Sequence, residues 1–237
     1  MSDGDLEASY VDDLVAHQVD GVILAPVDND SKGIIDWMVA RGLPCVLIDR
    51  AIPGVEADIV QGDSVGGARV LVDHLVATGH RTIAHITESQ RVSTARDRFQ
   101  GYREALEANG IPFDPMLVAE GNGATIADAQ VATAELLSRG VRPSAILAVN
   151  NLAAVGVVLA LRAAGWPVPG SIAVACFDDI ELAALLCPFL TVLAQPAAAY
   201  GSLATQLLID RIQGVAPAER QVIILPGELI VRESTAG

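Results

Sequence analysis

Positive charge, aromatic rings, cysteine and late histidine are all scarce in this 237-residue chain. Fifteen lysines and arginines stand against 29 aspartates and glutamates, a formal net charge of −14. That sign opposes phosphate backbones and anionic lipid, so these residues alone bind neither nucleic acid nor a membrane surface. Aromatic residues make up 4% of the chain, and only Trp37 and Trp166 offer large stacking surfaces. Three cysteines, Cys45, Cys176 and Cys187, lie in or beside apolar runs. An odd number without disulfide or zinc spacing predicts no bridge framework and no metal site, and fits a reducing cytoplasm. The N-terminus lacks a basic segment followed by an apolar one, so no signal peptide is read there. Two uncharged runs, 182–209 and 143–161, are long enough to span a bilayer. The first is broken by Pro188, Gln195 and Pro196, and the second by Asn150 and Asn151.

Apolar residues are plentiful, at 51% of the chain with a mean hydropathy of +0.43, which excludes disorder. They fall into short β-branched runs at 19–26, 44–49, 82–87, 116–120, 144–149, 171–177 and 190–194. Such runs read as strands of parallel sheets buried on both faces. Between them, 31–41, 66–78, 95–109, 126–139, 152–164 and 197–213 repeat apolar residues at helical spacing. Gly42, Gly79, Gly110, Gly140, Gly165 and Gly214 sit where those helices should stop. Regular β-α alternation predicts a doubly wound α/β fold.

In such sheets ligands bind at the carboxyl ends of the strands. Asp49, Asn150, Asn151, Asp178, Asp179 and Gln195 each follow a predicted strand. Asn or Asp between a strand and a helix is commonly an N-cap, the expected role of Asn151, Asp179 and Asp63. For Asn150 and Asp178, ligand contact and structural turn stand level on spacing alone. Gln195 before a proline carries little weight by itself.

Gly62-Asp63-Ser64-Val65-Gly66 matches the nucleophile elbow of α/β-hydrolases and lies between a predicted strand and a helix. A triad of that order needs a histidine later in the chain, and none follows His85. The glycines read instead as a loop and first helical turn, with Asp63 or Ser64 capping it. Gly121-Asn122-Gly123 lacks the third glycine of a dinucleotide fingerprint. No phosphate loop or metal-ligand cluster is present, and His74 and His85 read as core or second-layer groups. The sequence supplies binding groups without a general base or nucleophile, so no enzyme and no cofactor are expected.

Four linked stretches carry a resemblance: STARDRFQGYREALEANGI, AVNNLAAVGVVLALRAAGWPVPGSIAV, VACFDDIELAALLCPFLTVLAQP and the closing LIVREST. They are similar to the effector-binding core of the lac repressor/galactose repressor family of bacterial transcription regulators, over about Leu6 to the end. The resemblance implies two Rossmann-like α/β subdomains of the class I periplasmic-binding-protein type, closing on a sugar-like effector in the cleft between them. It assigns 1–61 and 194–218 to the first subdomain, which would lack its first strand-helix-strand, and 62–193 and 219–237 to the second. It implies effector contacts from Asp49, Arg98, Asn150, Phe177, Asp178 and Gln195. It further implies a cytoplasmic homodimer that meets operator DNA through a helix-turn-helix outside these residues. A sugar-binding receptor of a transporter is the alternative, and a hydrolase using Ser64 comes after it. Cys176 stands where the family has glycine, Ala194 where it has arginine, and Asn151 where it has aspartate.

Overall fold

The computed structural model describes residues 3–121, 125–179 and 189–236. The chain divides into two compact units: residues 1–63, 91–94 and 196–225 form unit 1, and 64–90, 95–195 and 226–237 form unit 2.

Unit 1 contains α1 (Asp3–Ala16), β1 (Val22–Leu24), α2 (Lys32–Ala40), β2 (Cys45–Ile48), β3 (Asp58–Gly62), α7 (Ala197–Ile212) and β9 (Val222–Leu225). Its sheet is parallel, in the order β1-β2-β3-β9. Because successive side chains of a strand point to opposite faces, each strand feeds two cores. Cys45, Leu47 and Ile59 pack with Ile35 and Met38 of α2, while Val46 and Val60 pack with Tyr200 and Ala204 of α7. Beneath β3, buried Asp58 accepts hydrogen bonds from Arg211 Nε at 2.7 Å, Arg211 Nη2 at 2.8 Å and the Gln221 N–H at 2.6 Å.

Unit 2 contains α3 (Ser64–Ala77), β4 (Ile83–Thr87), α4 (Ser93–Ala108, from its third residue onward), β5 (Val118–Glu120), α5 (Ile126–Ser138), β6 (Ala145–Ala148), α6 (Asn151–Ala163), β7 (Ala173–Phe177), β8 (Thr191–Ala194) and β10 (Glu228–Ile230). The sheet order is β10-β8-β7-β6-β4-β5, parallel except for β10. Leu71, Leu75, Tyr102 and Leu106 of α3 and α4 pack on Ile83, Leu147, Ala175 and Phe177. Helices α5 and α6 pack on each other and on the other face of the sheet. Two glycines set the helix spacing. A β-carbon at Gly101 of α4 would collide with the Val65 carbonyl oxygen of α3, and one at Gly156 of α6 would lie 2.7 Å from Ala129 Cβ of α5. Side chains there would force the helices apart.

All six glycines read as helix stops have positive φ, from 67° to 96°. The predicted strands appear, with 19–26 shortened to Val22–Leu24 and 116–120 to Val118–Glu120, the latter because a 3-10 turn takes Pro115–Leu117. Helix α4 starts at Ser93 rather than Ala95. The sequence reading put 219–237 with the second subdomain. Residues 222–225 instead pair with β3 in unit 1, and only the segment after Pro226 runs beside β8 in unit 2. Backbone pairing, which hydropathy does not encode, decides that division.

Candidate functional site

The order of sheet 2 reverses at β4: the chain goes outward to β5, then returns to place β6 on the other side. Loops leaving two neighbouring strands in opposite directions open a crevice at their carboxyl ends. Arg98, in the helix that follows β4, spans that point. Its Nη1 donates to the carbonyl of Val149, just past β6, at 2.6 Å, and lies 3.4 Å from Asp178 Oδ2 at the tip of β7. The guanidinium carbon sits 4.1 Å from the centre of the Phe177 ring, a cation–π contact. Arg98 is only 3% exposed, and among the described residues its buried Nε has no hydrogen-bond partner.

Asp178 has φ +67°, in the left-handed region, and its N–H donates to Leu193 of β8 at 3.0 Å. That conformation costs a non-glycine residue on the order of 1 kcal/mol, least for Asp and Asn. It turns the chain out of the strand at β7 while the last ladder bond is kept. Gln195, immediately after β8, donates its Nε2 hydrogen to Asp178 Oδ1. Next along the chain, Asp179 takes both arms of Arg232, at 2.8 and 2.6 Å. Unit 2 therefore gathers Arg98, Phe177, Asp178 and Gln195 into one contiguous group.

Asn150 has a different task. Its Oδ1 accepts the Ala153 N–H at 2.8 Å, making it the N-cap of α6. The capping expected of Asn151 thus falls one residue earlier, and Asn151 is the first helical residue. The Nδ2 hydrogens of Asn150 take no part in that cap. Asp49, in unit 1, ends β2 with the same φ of +67°. Its N–H donates to Val60, and the next N–H, of Arg50, closes a γ-turn onto Ile48 at 2.7 Å.

Ser64 is the first residue of α3 and is buried. His85 is fully buried, with Nδ1 2.9 Å from the Leu147 carbonyl oxygen and its ring stacked 5.0 Å from Tyr102. Burial pulls its pKa down to about 4, helped by the charge of Arg98. His74 Nε2 lies 2.8 Å from the Thr235 hydroxyl. Burial pushes the Cys176 thiol well up, so it stays protonated and inert. The Val149 carbonyl is a partner that sequence reasoning missed, since a backbone acceptor leaves no mark in residue type. Arg232 appears in the quoted closing motif, but nothing in its spacing points to Asp179. Among the described residues, no helix is long and apolar enough to cross a membrane.

A family profile described as periplasmic binding protein-like domain matches residues 72–235. Among characterised proteins, the chain is 35% identical to the HTH-type transcriptional regulator CelR of Thermobifida fusca, over 93% of this chain and 65% of that protein. It is 31% identical to the HTH-type transcriptional regulator DegA of Bacillus subtilis, over 97% of this chain and 68% of that protein. The ribose operon repressor of Haemophilus influenzae is 32% identical, over 93% and 65%. The chain thus spans about two thirds of the length of the curated relatives it matches. Among solved structures, a CelR–cellobiose complex superposes with a TM-score of 0.87 at 34% identity, covering 98% of this chain and 69% of that one. A LacI family transcriptional regulator from Enterococcus faecium with bound ribose gives 0.85 at 28% identity, covering 96% and 84%. The fold and these likenesses agree: the chain belongs to the lac repressor/galactose repressor family, through its periplasmic-binding-protein-like domain.

Proposed function

We propose that this chain is the effector-sensing part of a transcription repressor and that it takes a sugar-like ligand at the carboxyl ends of the unit 2 strands. Arg98 at the switch point carries the reading. A guanidinium fork donates and the Asp178 carboxylate accepts, the two roles that neighbouring hydroxyls of a polyol need. Phe177 backs the arginine with an apolar face, and Asn150 and Gln195 follow β6 and β8, the strands that flank β7. The cellobiose and ribose bound to the two solved relatives support a carbohydrate as the class of effector. In this reading the protein works as a cytoplasmic homodimer without catalytic activity. Operator DNA is met by a helix-turn-helix outside these residues, since their net charge of −14 repels it. An effector that prefers one conformation of the domain shifts DNA affinity by its differential affinity, on the order of 1–3 kcal/mol.

Calorimetric titration with cellobiose, ribose and a panel of other mono- and disaccharides tests the proposal. One of them is expected to bind, and Asp178→Asn, which tolerates the same left-handed backbone and keeps the side chain's shape, is expected to weaken it at least tenfold. Arg98 is buried, so Arg98→Lys is the suitable variant there: it keeps the charge, loses the fork, and should also cost at least tenfold. Failure of every sugar to bind overturns the carbohydrate reading. Unchanged affinity in both variants removes the switch-point group from the site.

A further inference from the structure

Asp178 is the residue on which the effector reading turns, yet both of its carboxylate oxygens already face internal donors. Oδ2 faces Arg98 Nη1 at 3.4 Å, a long contact, and Oδ1 accepts the Gln195 amide. An amide N–H and an alcohol O–H are donors of the same kind toward a carboxylate. Gln195 is also the last residue of unit 2 before the chain resumes in unit 1 at Pro196. Pro196 occupies the N-cap position of α7 without any side-chain cap bond. At this crossing Asp178 holds the chain twice, its Oδ1 accepting the Gln195 amide and its own N–H donating to the Leu193 carbonyl two residues earlier, while β10 pairs with Ala194 on the other side.

We propose that Gln195 is an internal competitor of the effector: its amide stands in for a ligand hydroxyl on Asp178 Oδ1, and effector binding displaces it and frees the crossing at Pro196. The proposal rests on the effector reading and reverses the role the resemblance gives Gln195, from ligand contact to latch. Its consequence for affinity is arithmetical. A site competent only when the latch is open shows an affinity reduced by the open fraction, so a latch closed about nine-tenths of the time weakens binding about tenfold. Its consequence for dynamics is that occupancy loosens, rather than tightens, the end of β8 and the start of α7.

The experiment pairs affinity with amide exchange on the full chain, comparing the parent with Gln195→Ala. For the sugar that binds the parent, the variant is expected to bind three- to tenfold tighter, and ligand should speed exchange across 189–200 in the parent but not in the variant. Weaker or equal binding by Gln195→Ala would mean that the amide contacts the ligand or is idle, and either result overturns the latch. Should no sugar bind the parent, the effector reading fails by itself and the latch is judged on the free protein. There Gln195→Ala and Asp178→Ala should each raise exchange across 189–200 severalfold, and the double variant no further. Independent, multiplying increases would show that the two side chains do not hold one another, and the latch would fall.

Discussion

The two units share one β-α grammar, but they differ in how much of the sheet is covered. In unit 2 the inner strands are buried along their whole length, β4, β6 and β7 alike, beneath helices on both faces. In unit 1 the outer strands are open. β1 is buried at one residue of three, and along β9 exposed residues alternate with half-buried ones, Val222 at 48% and Ile224 at 54% exposure. Hydrophobic burial scales with the apolar area removed from water, and unit 2 draws on it along four inner strands, β4, β6, β7 and β8, where unit 1 has two, β2 and β3; the edge strands β5 and β10 of unit 2 are as open as β1 and β9. Unit 1 adds polar anchors to this smaller core: Asp58 with Arg211 and Gln221, the Arg220 bond to the Val55 carbonyl, and Glu7 taking the Ser31 hydroxyl and the Val27 N–H. The switch point also belongs to unit 2. The described strands of unit 1 run β1, β2, β3 in chain order without a reversal, and it is the reversal that creates a crevice for Arg98.

Each unit contains one tryptophan, Trp37 in unit 1 and Trp166 in unit 2, so single-tryptophan variants read the two separately in denaturant. The largest effect is expected from Tyr102→Ala. Tyr102 is fully buried and its hydroxyl donates to the Ile83 carbonyl at 2.8 Å. Removing such a ring costs about 4 kcal/mol, and the loss should register at Trp166. A loss confined to Trp37 would break the assignment of this core to unit 2.

Acid should separate the units next. His85 has a folded pKa of about 4 against an ordinary value of 6.5. The unfolded chain therefore binds the proton more readily. The stability of unit 2 is intact above pH 6.5, declines as pH falls, and has lost about 3 kcal/mol below pH 4. His85→Leu should flatten that slope at Trp166. In unit 1, burial alone would raise the Asp58 carboxyl, but Arg211 and the Gln221 N–H outweigh it and hold the group below its ordinary 3.8. A depressed acid contributes stability above that value and loses it only as pH falls further, so the Trp37 transition should shift at lower pH than the Trp166 one. Coincident acid transitions would erase the contrast.

The smallest of the three is Arg211→Ala. It leaves the Asp58 carboxylate buried without its main counter-charge, and with Arg211 itself partly exposed the cost should be about 2 kcal/mol, read at Trp37. An unchanged midpoint would show that apolar packing, not this ion pair, anchors α7 to unit 1.

Much of this architecture was legible in residue order. Runs such as SAILAV and SIAVACF became fully buried strands because β-branched and small apolar residues leave only a two-faced sheet as a comfortable environment. The helix-stopping glycines took positive φ because that conformation is least strained without a β-carbon. Reading failed where pairing is non-local. VIIL and ELI were not recognised as strands, and their division between two sheets depends on which edge each meets after Pro226. The capping role went to Asn150 rather than Asn151 because the side chain that reaches the Ala153 N–H is set by where α6 starts, and periodicity places that only to within a residue. On spacing alone Gln195 had little claim to a role, and its meeting with Asp178 joins residues seventeen apart through the pairing of β7 with β8.

By itself the sequence determined the fold class, the alternation of strands and helices, and the polar tips that mark the carboxyl ends of the strands. These are local properties, written in hydropathy, backbone preference and residue type. Tertiary structure alone decided the strand order, and with it the switch point that joins Arg98 to Val149 and Asp178. It also decided which carboxylate is held by an amide and which by a guanidinium. Those choices depend on contacts between segments far apart in the chain, whose energies no local pattern records.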